Sequence, residues 1–423
     1  MYVRCSNEVE RNLNIMRNKL ATISQSYNIA VLVALTVTYF FSFILGLFVF
    51  IVVNCIFKRI TFAGYVYVAL LLGVISFTNY SDWQVGDYDI VRYYNIWQQL
   101  SACDNIAQAS LLIYTLRSDY LFYFITYCFT LICPEDPRWF GFCFTTLISL
   151  LIFVSLRKIA IEEKCPTILQ DKWCLLLYAI GFFVVIRFFD YTNVFRQHLA
   201  FALLLVIILS SFPLYKKLIL MIIPLLLHWS MFITIVPFLY VYTYKPNTAR
   251  WSMLLYALLI GCACMSAIAS LFGSFEDAAG YLLEERLGTD RKIMVVMFVA
   301  SILIYYIILS LKCSKEIRSL SLVFALVSCF FVLRSTVMLR MSYNYTDFLV
   351  AVSPVLYGKM KNGMAHEAKI KTKKLFPYFA CVWLLFGTYN LLNMNRGEFE
   401  YMLFSNYGVF SPVRDVFNTI SPF

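Results

Sequence analysis

The chain has 423 residues, 61% of them hydrophobic and 18% aromatic, with only 14% charged and a mean hydropathy of +0.75. Too few charged side chains are present to cover a soluble globule, and too many apolar ones to bury inside it, so composition excludes a soluble enzyme or binding domain. The net charge of +11 would point to nucleic acid in a soluble protein; in a membrane protein it reports which loops face which side.

A polar N-terminal segment, 1–28, carries Arg4, Arg11, Arg17 and Lys19. Apolar runs follow at 29–57, 62–77, 140–156, 173–189, 199–214, 218–244, 251–272, 293–311, 320–333, 348–357 and 376–392. About 18 apolar residues cross the ~30 Å hydrocarbon core as a helix, and the shorter runs need their flanks to do so. The expectation is an all-α polytopic integral membrane protein of about 10–12 transmembrane or re-entrant helices, since no alternating β-barrel pattern is present. A single membrane domain over 29–392 would lie between the N-terminal segment and an external tail, 393–423. The first apolar run begins late and is longer than a signal-peptide core, so no cleavable signal is expected.

The positive-inside rule assigns 58–59, 157–172, 216–217, 245–250, 312–318 and 359–374 to the cytoplasm, which leaves 79–118 as a long external loop and 273–291 as another. One span before residue 58 would put the basic N-terminus outside, so its side stays open. Two segments strain this topology. Residues 120–133 are too short to span and read as re-entrant or half-inserted, while 218–244 has lysine near both ends and is either a bent hairpin or one tilted helix. The outward loops hold nearly all the acids, and their cations are arginines, with Lys292 the exception. Arginine's planar fork suits bidentate binding of phosphate; the plainer alternative is pairing with the outward acids.

Thirteen cysteines lie mostly in apolar runs, with Cys103–Cys133 as the one external pairing considered. Three histidines and no Cys-x-x-Cys argue against structural zinc, and no phosphate loop, dinucleotide fingerprint or nucleophile elbow occurs.

Polar clusters within this apolar chain are the candidate functional residues, because ionisable groups in or beside hydrocarbon are costly. Asp87, Asp89, Arg92, Tyr93, Tyr94, Trp97 and Gln98 recur at one, three and four-residue spacings, and a helix would gather Asp89, Arg92, Tyr93 and Trp97 on one side, with carboxylates for sugar hydroxyls and aromatics for ring faces; an interfacial helix with an aromatic belt is the alternative. Asp119 opens the short segment, either as an N-cap or as a general base. Arg196 and Gln197 precede a helix, with snorkelling as the alternative for Arg196. His228 and Ser230 interrupt an apolar stretch, and His228 reads as an acid/base or phosphate-contacting group or as a satisfied buried histidine. Arg334 and Arg340, near Tyr343 and Tyr345, form the last outward cluster.

In order, Asp89-x-x-Arg92-Tyr93-Tyr94, Asp119 to Tyr123, Asn193-Val-x-Arg196-Gln197-x-Leu-Ala, His228-x-Ser230 and a late Arg with nearby Tyr resemble the EpsG family of Wzy-type polysaccharide polymerases. The resemblance implies joining of lipid-linked oligosaccharide repeat units at the outer face of the bacterial cytoplasmic (inner) membrane. The growing glycan would pass from undecaprenyl diphosphate to a terminal hydroxyl of the next lipid-linked unit. It implies a GT-C-like membrane glycosyltransferase architecture, no required cofactor with a divalent metal left open, and a flippase and chain-length regulator as partners, without nucleic acid. The base is then Asp89 or Asp87, with Asp119 next. Arg196 and Arg340 take the diphosphate with His228 in support, and Arg92, Tyr93, Gln197, Ser230 and Arg334 complete substrate binding. A flippase of lipid-linked sugar, an O-antigen ligase or an O-acetyltransferase would share the need for cations.

Overall fold

The computed structural model describes residues 62–78, 89–116, 119–186, 194–243, 290–330, 335–361 and 374–393, and every regular element within them is a helix. The expectations for 1–28, 29–57, 251–272 and 394–423, and for Asp87, Asn193 and Arg334, lie outside the described residues. In chain order the helices are α1 (Phe62–Thr78), α2 (Asp89–Ser101), α3 (Ile106–Thr115), α4 (Tyr120–Thr130), α5 (Arg138–Glu162), α6 (Lys172–Val184), α7 (Phe195–Ile208), α8 (Leu214–Leu220), α9 (Ile222–Leu227), α10 (Phe232–Thr243), α11 (Asp290–Ser310), α12 (Lys315–Phe330), α13 (Ser335–Lys361) and α14 (Phe376–Asn393). Short 3-10 turns lie at Pro166–Gln170 and Trp229–Met231.

Among the described residues, Arg138–Glu162 and Lys292–Ser310 are long and apolar enough to cross a bilayer. The first of these is α5, and α1 packs along it. Two glycines make that approach close: a Cβ on Gly73 would stand 2.1 Å from Thr146 Oγ1, and one on Gly141 2.6 Å from Ser76 Oγ. Small residues at helix crossings serve where lipid supplies no hydrophobic drive between helices. The core helix is α7, buried over nearly its whole length and flanked by α5, α9 and α13.

Ionic contacts define one end of this bundle. Glu163, just past α5, pairs with Lys359 of α13 and accepts a hydrogen bond from the Ser314 backbone N–H in the α11–α12 turn (2.6 Å). Lys217 of α8 lies 3.5 Å from Glu316 of α12, and Lys361 lies 2.5 Å from Asp171. These lysines come from segments that charge alone assigned to one side. Acids stand among them because a lysine drawn into a helix junction needs a counter-charge, a pairing that the view of acids as mainly outward missed. Since α5, α11 and α13 all finish here, their first turns lie at the opposite end.

That geometry resolves both strained segments. Lys217 and the Tyr242 hydroxyl both reach Glu316, the latter at 2.9 Å, while His228, midway between them, contacts Asp119. Residues 214–243 therefore leave the lysine-rich end, turn at His228 and return, which is the bent hairpin rather than the tilted helix. The eleven residues of α4 span only about 16 Å. Phe122 and Phe129, near its two ends, both contact Phe144 of α5 (centroids 4.8 and 5.4 Å), so α4 lies across the first turns of α5 instead of running beside it. The run expected at 348–357 is the apolar second half of α13, which has 27 residues; in its polar first half, Asn344 and Asp347 face α7.

With the lysine-rich end inside, two substitutions in a cysteine-free background test the orientation. Ser110→Cys should react with an impermeant maleimide in intact spheroplasts, and Thr167→Cys only after lysis. The reverse pattern would turn the molecule over.

Candidate functional site

Asp119 occupies the N-cap position of α4 but does not cap it. Its backbone is left-handed (φ 53°, ψ 42°), and its side chain makes no capping hydrogen bond. A non-glycine residue in that region costs about 1 kcal/mol or more, least for Asp and Asn. The conformation turns the carboxylate inward, where Oδ2 meets Arg196 Nη1 at 2.6 Å and His228 Nδ1 at 3.4 Å. Burial would push this carboxyl up, but the adjacent His228 and the Arg196 guanidinium more than offset it and hold it below the usual carboxylate range. Asp119 is thus better suited to orient its partners than to accept a proton.

Arg196 sits in the first turn of α7 with its side chain only 14% exposed. Its Nε donates to Tyr93 Oη (2.8 Å), and its guanidinium lies 5.5 Å from the Tyr93 ring centroid. Tyr93 is fixed in turn by aromatic packing: it stacks on Phe140 of α5 at 5.1 Å, and Phe140 meets Phe195 of α7 at 5.2 Å. This cluster joins α2, α4, α5 and α7. Two of Arg196's donors are engaged by protein, which leaves the rest of the fork for an anion.

His228 has extended backbone (φ −160°, ψ 117°) between α9 and the following 3-10 turn. Its ring is buried, yet neither nitrogen makes a hydrogen bond with correct geometry among the described residues, and the same holds for Ser230 Oγ. Buried polar atoms are rarely left so, and here they lie beside the Arg196–Asp119 pair. Both Arg196 and Arg340 lie within Coulombic range of the imidazole.

A polar seam carries Arg340 into place. Gln197 is fully buried; its Nε2 donates to the Arg340 carbonyl and to Asn344 Oδ1 (3.1 Å), and its Oε1 accepts from Arg340 Nη1 (3.3 Å). Asn344 Nδ2 donates to Thr234 Oγ1 on α10 (3.0 Å), six residues past His228. One residue beyond Gln197, His198 Nδ1 lies 2.9 Å from Asp347 Oδ2 in a contact with no solvent exposure. Gln197 is consequently a positioning residue, its amide spent on α13.

The remaining expectations divide. Asp89 begins α2, half-exposed and one turn before Tyr93, where an acid also suits the helix dipole. Tyr93 and Trp97 share one side of α2 as their spacing predicts, but that side is packed into the core instead of presenting ring faces to a sugar or to the interface, whereas Arg92 is exposed, its Nη2 donating to Tyr123 Oη at 3.4 Å. Among the described residues no group of three or more His, Cys, Asp or Glu could hold a metal. Sequence reading gave no role to His198, Thr234, Asn344 or Asp347. The available signal was Asn344 and Asp347 at i and i+3 just before the apolar run 348–357, a spacing that puts both on one helix face.

These features describe an all-helical membrane protein with a buried cationic site built from α2, α4, α7, α13 and the tip of the α8–α10 hairpin. The chain belongs to the EpsG family, whose family model matches residues 65–407; EpsG-type proteins are Wzy-like polymerases. No curated protein and no solved structure matches the chain.

The His198–Asp347 contact yields a stability prediction. Asp347→Ala removes the carboxylate that faces a buried imidazole and should cost about 2–4 kcal/mol. Asp347→Asn, which keeps an acceptor, should cost less than half of that. Thermal unfolding in detergent measures both, and two equally stable variants would show that the contact does not hold α7 to α13.

Proposed function

We propose that the protein polymerises lipid-linked oligosaccharide repeat units at the outer face of the bacterial cytoplasmic membrane, transferring the growing glycan from undecaprenyl diphosphate to a terminal hydroxyl of the next lipid-linked unit. The observation that carries this reading is the convergence of Arg196, Arg340, Asp119 and the unsatisfied His228 from separate elements of an apolar bundle. Family membership supports the same assignment, and a GT-C-like architecture remains part of the proposal.

The reaction makes two demands. An acceptor hydroxyl must lose its proton, and the bond between the donor sugar's anomeric carbon and the diphosphate oxygen must break, with charge developing on that oxygen. Arg196 and Arg340 face the leaving diphosphate. The open part of the Arg196 fork supplies paired N–H donors, fixed in advance by Tyr93 and Asp119 so that no reorganisation is needed as charge develops. His228 takes the acceptor proton, with Asp119 holding its Nδ1 side. A buried carboxylate beside a histidine orients a base in this way in many unrelated enzymes. Asp89, half-exposed on the same face of α2 as Tyr93, then binds sugar hydroxyls at the rim. The new bond joins the acceptor oxygen to the anomeric carbon, and the electron pair of the broken bond leaves with the diphosphate.

Deleting the gene should remove the ladder of longer glycans and leave single repeat units on the carrier lipid; a normal ladder of lower abundance would favour a transport role. Arg196→Lys keeps the charge but loses the fork, and in vitro polymerisation should fall by about 100-fold or more at unchanged protein level. In the same assay His228→Ala should lose more activity than Asp89→Asn. A dead Asp89→Asn beside an active His228→Ala would return the role of base to Asp89.

A further inference from the structure

Outside the polar site, the turn from α4 to α5 brings two thiols together. Cys133 Sγ lies 3.6 Å from Cys143 Sγ. Cys133 closes the last turn of α4 through a hydrogen bond from its backbone N–H to the Phe129 carbonyl (2.9 Å). Its neighbours Leu131 and Ile132 are 66% and 82% exposed, so among the described residues no other helix covers this end of α4, and Cys133 itself is partly exposed. Cys143 stands in the second turn of α5 and is half-buried. Cys103, the minor alternative partner that the sequence offered for Cys133, instead donates to the Gln99 carbonyl at 3.4 Å.

We propose that Cys133 and Cys143 are a modification site that closes to a disulfide in the mature protein, stapling the end of α4 to α5. The Cys133 thiolate attacks the disulfide of a thiol–disulfide oxidant carrier, a mixed disulfide forms, and one carrier thiolate leaves. The Cys143 thiolate then attacks the Cys133 sulfur, the protein disulfide forms and the second carrier thiolate leaves. The two protein thiols give up two electrons and two protons, and the carrier disulfide becomes two thiols. Bringing the sulfurs to about 2.05 Å needs a movement of about 1.5 Å, within the reach of side-chain rotation.

The staple has a mechanical use. α4 is too short to be held by spanning the bundle, and its first residue follows Asp119, which must keep a left-handed backbone to reach Arg196. Fixing the far end of α4 to α5 limits its rotation about the Phe122–Phe144 contact. The inference rests on this end of the molecule facing an oxidising compartment and is independent of the polymerase reading.

The test uses the full chain taken from membranes, with free thiols trapped by N-ethylmaleimide in acid and the protein digested without reduction. Cleavage after Arg138 separates the two cysteines, so a disulfide appears in the mass spectrum as two joined peptides that reductant parts, and fragmentation assigns the linkage to Cys133 instead of Cys128 of the same peptide. The expected result is that joined pair. Reduction should also lower the thermal midpoint of the wild type by about a few degrees and leave Cys133→Ser and Cys143→Ser unmoved. Full alkylation of both cysteines, or a Cys133–Cys103 linkage, overturns the proposal. Thiols that are free in the membrane and close only when oxidised glutathione is added to the purified protein overturn it as well.

Discussion

A guanidinium only 14% exposed within an apolar bundle keeps its charge at tolerable cost when a carboxylate and oriented dipoles surround it, and for Arg196 these are Asp119 and the Tyr93 hydroxyl. This requirement organises the polar end of the molecule. Asp119 reaches Arg196 from a left-handed backbone, so α4 must begin where it does and lie across α5. Tyr93 reaches it from α2, so α2 must dock its aromatic face on Phe140. His228 shares the Asp119 carboxylate, so the α8–α10 hairpin must place its tip at the same level.

The two ends of the bundle use charge differently. At the lysine-rich end, Glu163–Lys359 and Lys217–Glu316 satisfy one another and tie helix ends together. At the site end, Arg196 and Arg340 are held by neutral or shared partners that leave donors unspent, while His228 and Ser230 have buried polar atoms without hydrogen bonds among the described residues. The first arrangement is closed and structural. The second leaves charged donors and buried polar atoms open, and under the proposed function these are the groups that meet a diphosphate leaving group and a sugar hydroxyl.

Much of this was legible because membrane segments obey simple rules. Apolar length located α1, α5, α11 and α14 within a few residues, and the scarcity of ionisable groups in hydrocarbon marked Asp119, Arg196, His228 and Arg340 as candidates. Where the reading fell short, side-chain direction was the missing quantity. Residues 335–347 look like a loop by hydropathy, yet they are helix, because Gln197 and His198 of α7 receive their polar side chains. Arg92 shares a motif with Tyr93 but stays exposed at the surface, where it reaches only the Tyr123 hydroxyl. Asp119 looks like an N-cap, and only its left-handed backbone and its contact with Arg196 show that the carboxylate serves another purpose. The hairpin at 214–243 could not be told from a tilted helix until Lys217 and Tyr242 were seen to share Glu316.

The central claim, that Asp119 and Arg196 act as one unit, is tested most directly by a double-mutant cycle in an in vitro polymerisation assay. Asp119→Asn tolerates the left-handed backbone and removes only the charge; Arg196→Gln removes the other partner. The account predicts that the double variant is no slower than the worse of the two single variants, since each alone already breaks the pair. Losses in the two single variants that multiply in the double variant would show independent action and contradict it.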